Sequence, residues 1–122
     1  MTYIRKHSLA LLCTIAGTAF TCAALAGCHS QPALTKQQAE GKHVYEEGCA
    51  HCHEDNDLAL KKVPPNLHNL FRHERLPDGE PATDAEVEHV VMTGKGMMPS
   101  FAYQMTQDQL SALIAYLHTG LR

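Results

Sequence analysis

The sequence predicts an all-α domain with three main helices and no sheet. Three stretches combine helix start signals with apolar residues at helical spacing. No stretch shows convincing strand-like alternation, and no internal repeat is present. The length of 122 residues fits one domain, and 44% hydrophobic and 19% charged residues are typical of a globular protein. The formal net charge of −3 argues against a nucleic-acid partner.

The first 27 residues have the pattern of a secretory signal peptide. Arg5 and Lys6 precede an uncharged run over residues 8–27, and small residues cluster just before Cys28. The sequence Leu25-Ala26-Gly27-Cys28 resembles the lipobox of bacterial lipoproteins. The resemblance implies cleavage before Cys28 and lipidation of its thiol, so that residues 28–34 become a lipidated tether. Acyl chains on this cysteine would anchor the protein to a membrane.

An uncleaved transmembrane helix is the alternative interpretation of this segment. The uncharged run is long enough to span a bilayer. However, threonines, Gly17 and many alanines make it weakly apolar for a permanent anchor. Both interpretations export the domain, so we expect it on the periplasmic side of a membrane.

Loss of the signal peptide changes the composition of the mature chain. It removes two basic residues and no acidic one, so the net charge becomes −5. Besides Cys28, only Cys49 and Cys52 remain, which leaves no disulfide framework. Because small domains are marginally stable without staples or cofactors, we expect a bound group to support the core.

The first main helix is predicted from about Lys36 to Cys49. Thr35 and Gln38 form a capping box at its start. Residues 54–76 are predicted to be irregular, because Pro64-Pro65 excludes a helix there, with a short helical turn around residues 66–71.

The second main helix is capped by Thr83 or Asp84 and ends at Gly94 and Gly96. Its apolar residues have i, i+3, i+4 spacing. These residues are Val87, Val90 and Val91.

Residues 95–102 form a predicted loop before the third main helix. A second capping box, Thr106 with Gln109, opens this helix, and Gly120 stops it. Its apolar stripe consists of Leu110, Leu113, Ile114 and Leu117.

The motif that carries chemistry is Cys49-Ala50-His51-Cys52-His53, the C-x-x-C-H attachment signature of c-type haem. Two cysteines three apart share one face of a helical turn, so both thiols can form thioethers with one edge of the porphyrin. His53 then supplies the proximal iron ligand.

Two other uses of a Cys pair fit less well. A thioredoxin-like dithiol needs a βαβ context, which the pattern lacks. A tetrahedral zinc site needs four ligands, usually from two paired clusters, and there is no second pair. We therefore predict one covalently attached haem c.

Met98 is the predicted sixth ligand of the iron. It lies in the glycine-flanked loop Gly94-Lys95-Gly96-Met97-Met98-Pro99-Ser100-Phe101, where Pro99 stiffens the backbone beside it. Thioether ligation opposite histidine raises the reduction potential. Met97 is the nearest competitor, and weaker candidates are His68, His73, His89, Met92 and Met105.

Together these residues resemble the class I cytochrome c family over nearly all of the mature chain, from Thr35 to Gly120. The haem motif and the Met98-Pro99 loop are the specific parts of the resemblance, supported by Pro65-Asn66-Leu67. It implies the cytochrome c fold over residues 35–122, wrapped around one haem. It also implies that the Pro65 carbonyl contacts the other ring nitrogen of His53.

The resemblance further implies that the first and last main helices cross closely. Gly41 and Tyr45 would pack against the last helix near Leu113 and Tyr116. Their role would be packing alone.

The resemblance implies one-electron transfer, without enzymatic activity, by a carrier or by a subunit of a respiratory or dehydrogenase system. Such a protein is a monomer or part of a larger redox complex. A net charge of −5 favours redox partners with a basic patch.

The alternative is a haem enzyme or gas-binding sensor with an open sixth position, which requires that Met98 does not bind iron. The residue that follows the lipidated cysteine is His29, and this pattern resembles that of outer-membrane lipoproteins.

Overall fold

The computed structural model describes residues 31–122, so the predicted signal peptide and Cys28 lie outside the described residues. This part of the chain contains, in order, α1 (Lys36–Gly48), α2 (Ala50–His53), a 3-10 helix (Leu70–Arg72), α3 (Asp84–Thr93) and α4 (Gln107–Leu117). The all-α prediction is confirmed. Pairing between extended segments is limited, over residues 31–122, to isolated bridges such as Lys95 with Met98.

The three main helices begin where the sequence predicts. Thr35 and Thr106 cap α1 and α4 with complete capping boxes, and Thr83, not Asp84, caps α3. In each case the threonine hydroxyl accepts a hydrogen bond from a backbone N–H that has no partner inside the helix. These caps fix the helix starts independently of the tertiary packing.

The crossing of α1 and α4 forms the centre of the core. Gly41 and Tyr45 of α1 are buried, and the Tyr45 ring meets that of Tyr116 edge-to-face with centroids 5.7 Å apart. The close approach of Gly41 is to Ala112 and Tyr116 rather than to Leu113. Leu113 is still one of the most buried side chains, at 1% exposed. The predicted packing of these helices is therefore confirmed, with Ala112 as an added partner.

The end of α4 is tied to two other elements through His118. Its Nε2 lies 2.7 Å from Asp84 Oδ1 at the start of α3. Its ring stacks on Phe71 of the 3-10 helix, with centroids 3.9 Å apart and planes 13° apart. This contact joins α3, α4 and the 3-10 helix outside the main crossing.

The segment between α2 and α3 differs in detail from the prediction. The helical turn expected around residues 66–71 forms as the 3-10 helix Leu70–Arg72, after Asn69 in the left-handed conformation at φ 56°. Leu70 and Leu76 of this segment are buried in the core. An irregular segment thus contributes core residues that carry no periodic signal.

Candidate cofactor site

The two cysteines of the motif lie at the junction of α1 and α2. Cys49 follows α1, and the N–H groups of Cys52 and His53 both donate to its carbonyl oxygen at 3.1 and 2.9 Å. Both thiols are free. Cys49 is buried at 8% exposure, and burial, followed by the nearby Cys52, raises the pKa of its thiol to about 11. The helical turn therefore presents two thiols that form no disulfide, that of Cys49 inside the core and that of Cys52 at its edge.

His53, at the end of α2, is fixed by a backbone carbonyl. Its Nδ1 lies 2.7 Å from the Pro65 carbonyl oxygen, which is the contact that the family resemblance implies. A carbonyl can only accept, so Nδ1 carries the proton and donates. In the neutral tautomer with this contact, Nε2 carries no proton, and it has no hydrogen-bond or ion-pair partner among residues 31–122. Outer contacts of this kind orient metal-ligating histidines.

The loop after α3 holds Met98 against the core. The N–H of Met98 donates to the Lys95 carbonyl at 3.0 Å, and the N–H of Lys95 donates to the Met98 carbonyl at 3.1 Å. The Met98 side chain is partly buried and packs on the core cluster, whereas Met97 is 60% exposed. The two neighbouring methionines therefore occupy different environments, with Met98 on the inside.

Gly94 allows this loop to fold back over the end of α3. It adopts φ 76° and ψ 164°, a conformation nearly restricted to glycine. A β-carbon there would stand 2.7 Å from the Met98 carbonyl oxygen and 2.8 Å from the Ser100 nitrogen. The N–H of Phe101 then donates to the Val91 carbonyl at 3.0 Å and returns the chain to the core.

A salt bridge fastens the same loop to the preceding turn. Lys95 Nζ contacts Asp78 Oδ2 in the Pro77–Asp78–Gly79 turn. This hydrogen bond lowers the pKa of Asp78 and raises that of Lys95. Sequence reasoning did not find the pair, because the two residues are separated by 17 positions with no pattern joining them.

Glu54 has two partners that sequence reasoning also missed. Because acidic side chains usually face solvent, the sequence gives no signal that Glu54 has a partner within the protein. Its Oε1 accepts a hydrogen bond from the Tyr45 hydroxyl at 3.1 Å and lies 3.4 Å from His68 Nε2. The weaker ligand candidate His68 thus faces a carboxylate.

The chemistry of these donors fits a c-type haem. Two free thiols three residues apart, an imidazole with an unengaged Nε2 and a partly buried thioether form the complete donor set of such a group. Groups of three or more His, Cys, Asp or Glu side chains able to hold a metal ion are absent from residues 31–122.

Comparisons with known proteins agree with this interpretation. Residues 36–117 match the family model described as cytochrome C oxidase, cbb3-type, subunit III. The chain is also 30% identical over 86 residues to a cytochrome c6 of Rippkaea orientalis (strain PCC 8801 / RF-1), covering 70% of this chain and 73% of that protein. No solved structure gives a significant match.

The fold, the donor set and the matches define a monohaem class I c-type cytochrome domain, and the chain belongs to this family. Haem c is the cofactor of such a domain, and haem-based electron transfer is its general function. The matches point to an electron carrier rather than to an enzyme. Across residues 31–122, every helix is too short or too polar to cross a membrane.

Proposed function

We propose that this protein transfers single electrons through one haem c, attached through Cys49 and Cys52 and bound at iron by His53 and Met98. We further propose that Cys28 carries the lipid that anchors it to the periplasmic side of a membrane. The protein then acts as an anchored carrier or as an electron-transfer subunit of a respiratory or dehydrogenase system.

The contact between His53 and Pro65 carries the proposal. It assigns the proton to Nδ1 and leaves Nε2, the nitrogen farther from the backbone, to bind iron. The same turn that bears His53 bears both thiols. Attachment and ligation are thus supported by one short helix, which limits the freedom of the ligand.

The environment of Met98 supports a closed sixth position over the alternative of an open-site enzyme or sensor. Two backbone hydrogen bonds, one in each direction between Lys95 and Met98, close the turn that contains Met98. The Met98 side chain lies on the core, and the exposed Met97 does not compete for that place. A sixth position filled by sulfur leaves no site on iron for a small molecule.

The bound haem would accept and release one electron without bond chemistry. The protein residues would keep both ligands in place in the two oxidation states. Little rearrangement is then needed for each transfer.

Spectroscopy tests the ligand assignment. The full chain is expressed with haem-attachment machinery, and visible and near-infrared spectra are recorded for Met98→Ala and Met97→Ala. We expect a sulfur-to-iron charge-transfer band that disappears in Met98→Ala and persists in Met97→Ala. The opposite pattern would assign Met97, and a band absent from the wild type would favour the open-site alternative.

The proposed anchor and partners rest on sequence and charge. Removal of the signal leaves Cys28 at the mature N-terminus, and a mature charge of −5 favours a redox partner with a basic patch. In a fractionation experiment, Cys28→Ala should move the haem protein from the membrane to the soluble fraction. Retention of Cys28→Ala in the membrane would instead support the uncleaved helix.

A further inference from the structure

Glu54 joins two parts of the site that are distant in sequence. Its backbone N–H donates to the Ala50 carbonyl at 2.9 Å, so the residue is fixed at the end of α2. Its Oε1 accepts a hydrogen bond from the hydroxyl of Tyr45, a residue that is 2% exposed in the core. The same oxygen, Oε1, lies 3.4 Å from Nε2 of His68. The carboxylate therefore connects the core to the segment after Pro65.

On the core side of this connection, packing fixes the position of the Tyr45 hydroxyl. The ring of Tyr45 packs against Tyr116, which holds its hydroxyl in one place. Burial, then the charge of Glu54, raises the pKa of Tyr45, so the phenol remains a donor. A buried donor of this kind gives the carboxylate a fixed attachment point.

The outer side of the connection is a compact turn. The N–H of His68 donates to the Asn66 side-chain oxygen at 2.7 Å, and the N–H of Leu70 donates to the Leu67 carbonyl at 3.1 Å. Residues 66–70 are thus held together by their own hydrogen bonds. His68 therefore lies in a hydrogen-bonded turn that begins directly after Pro65.

His53 and Glu54 therefore contact the same turn at two points. His53 meets the Pro65 carbonyl at 2.7 Å, and its sequence neighbour Glu54 meets His68. Leu70 already packs this turn against the core, and the contact of Glu54 adds a second polar attachment close to the Pro65 carbonyl.

We propose that Glu54 is a positioning residue, whose bridge from Tyr45 to His68 holds the Pro65 carbonyl against His53. This inference rests on the proposed function, since it takes His53 as the iron ligand. The hydrogen bond to Pro65 makes the imidazole more electron-rich, which favours oxidised iron. Loss of the bridge should therefore weaken this hydrogen bond and raise the reduction potential.

The direct readout is the exchange of the His53 Nδ1 proton with solvent, measured by NMR on the reduced, haem-loaded protein. Glu54→Ala removes the bridge, whereas Glu54→Gln removes the charge but keeps an acceptor oxygen. We expect exchange about three- to tenfold faster in Glu54→Ala, the range for loss of one net hydrogen bond. Glu54→Gln should recover most of the protection.

A charge-matched control separates positioning from simple electrostatics. Asp55→Asn removes the same charge from the adjacent, exposed residue, whose side chain makes no hydrogen bond or ion pair within residues 31–122. The reduction potential should rise more in Glu54→Ala than in Asp55→Asn, and about equally in Glu54→Gln and Asp55→Asn.

Tyr45→Phe removes only the core-side hydroxyl and provides a second test if Glu54→Ala does not fold. It should also accelerate the exchange. Wild-type exchange rates in Glu54→Ala or Tyr45→Phe would overturn the proposal, as would equal rates in Glu54→Ala and Glu54→Gln. Absence of haem from the wild-type protein would instead refute the proposed function, so the two failures are distinguishable.

Discussion

Gly41 of α1 lies so close to Ala112 of α4 that a β-carbon on Gly41 would stand 1.9 Å from the Ala112 carbonyl oxygen. The atom in the way belongs to the backbone of a packed helix and cannot rotate aside. The same β-carbon would stand 2.9 Å from Cβ of Tyr116, the ring partner of Tyr45. The crossing that anchors Tyr45, and through it Glu54, thus depends on the absence of a side chain at Gly41.

Gly41→Ala should therefore destabilise the haem-loaded protein, although alanine is the better helix former. Overpacking at such a site costs about 1–3 kcal/mol or more, which exceeds the gain in helix propensity of up to about 1 kcal/mol. The matched control is Gly48→Ala in the same helix. A β-carbon there would meet only the Phe101 ring, at an ordinary 3.5 Å.

Denaturant unfolding of both variants checks this prediction. Gly41→Ala should have a clearly lower unfolding midpoint, and Gly48→Ala should stay within about 1 kcal/mol of the wild type. Equal midpoints for the two variants would mean that α1 and α4 do not cross this closely.

Gly94→Ala should loosen the Met98 loop. The change adds a β-carbon against the backbone of residues 98–100 and forces alanine into a conformation that costs about 1–3 kcal/mol. Gly96→Ala is the matched control, because Gly96 also has a positive φ, of 60°, but open space around its β-carbon position. We expect the sulfur-to-iron band to weaken in Gly94→Ala and to persist in Gly96→Ala. Equal bands in both variants would contradict the proposed role of Gly94.

Asp78→Asn should let Met98 leave iron more easily. The variant removes the salt bridge to Lys95, three residues before Met98, and the rate at which cyanide binds the oxidised protein reports how often Met98 detaches. We expect a modest increase in this rate at low salt, because exposed ion pairs contribute little. In high salt the wild type should approach the variant, since exposed charges are screened.

The pH dependence of this ion pair has a defined sign. The lowered pKa of Asp78 means that the pair stabilises the loop above the ordinary aspartate pKa. That stabilisation is lost as the pH falls through the lowered value. The difference between Asp78→Asn and the wild type should therefore disappear in acid, below the lowered Asp78 pKa, and in base, above the raised Lys95 pKa. Glu46→Gln is the control, because it breaks the Lys42–Glu46 pair on α1. Its rate of cyanide binding should equal that of the wild type at every pH.

Local signals in the sequence were sufficient for the main helices. The threonine caps and the apolar stripe of α4 act within a few residues of each other, so the pattern predicts them directly. The haem motif is equally local, because both thiols and His53 lie on one turn. The expected close crossing at Gly41 came from the family resemblance rather than from any spacing.

The contacts missed by the sequence analysis join residues far apart in the chain. Glu54 follows the motif, and its charge suggested solvent exposure, yet its partners are Tyr45 and His68. The pair of His118 with Asp84 spans 34 positions. Such contacts depend on how the helices pack, and the residues involved are polar types that usually face water. Periodicity therefore gives no indication of them.

Covalent attachment of haem is tested most directly by whether haem stays with the chain after denaturation. The mature protein, produced with haem-attachment machinery, is unfolded, extracted with acidified acetone and weighed by mass spectrometry beside a Cys49→Ser/Cys52→Ser variant. We expect a wild-type mass that includes one haem per chain and a double variant that retains none. Wild-type protein that loses its haem on extraction, or never carries one, would contradict covalent attachment.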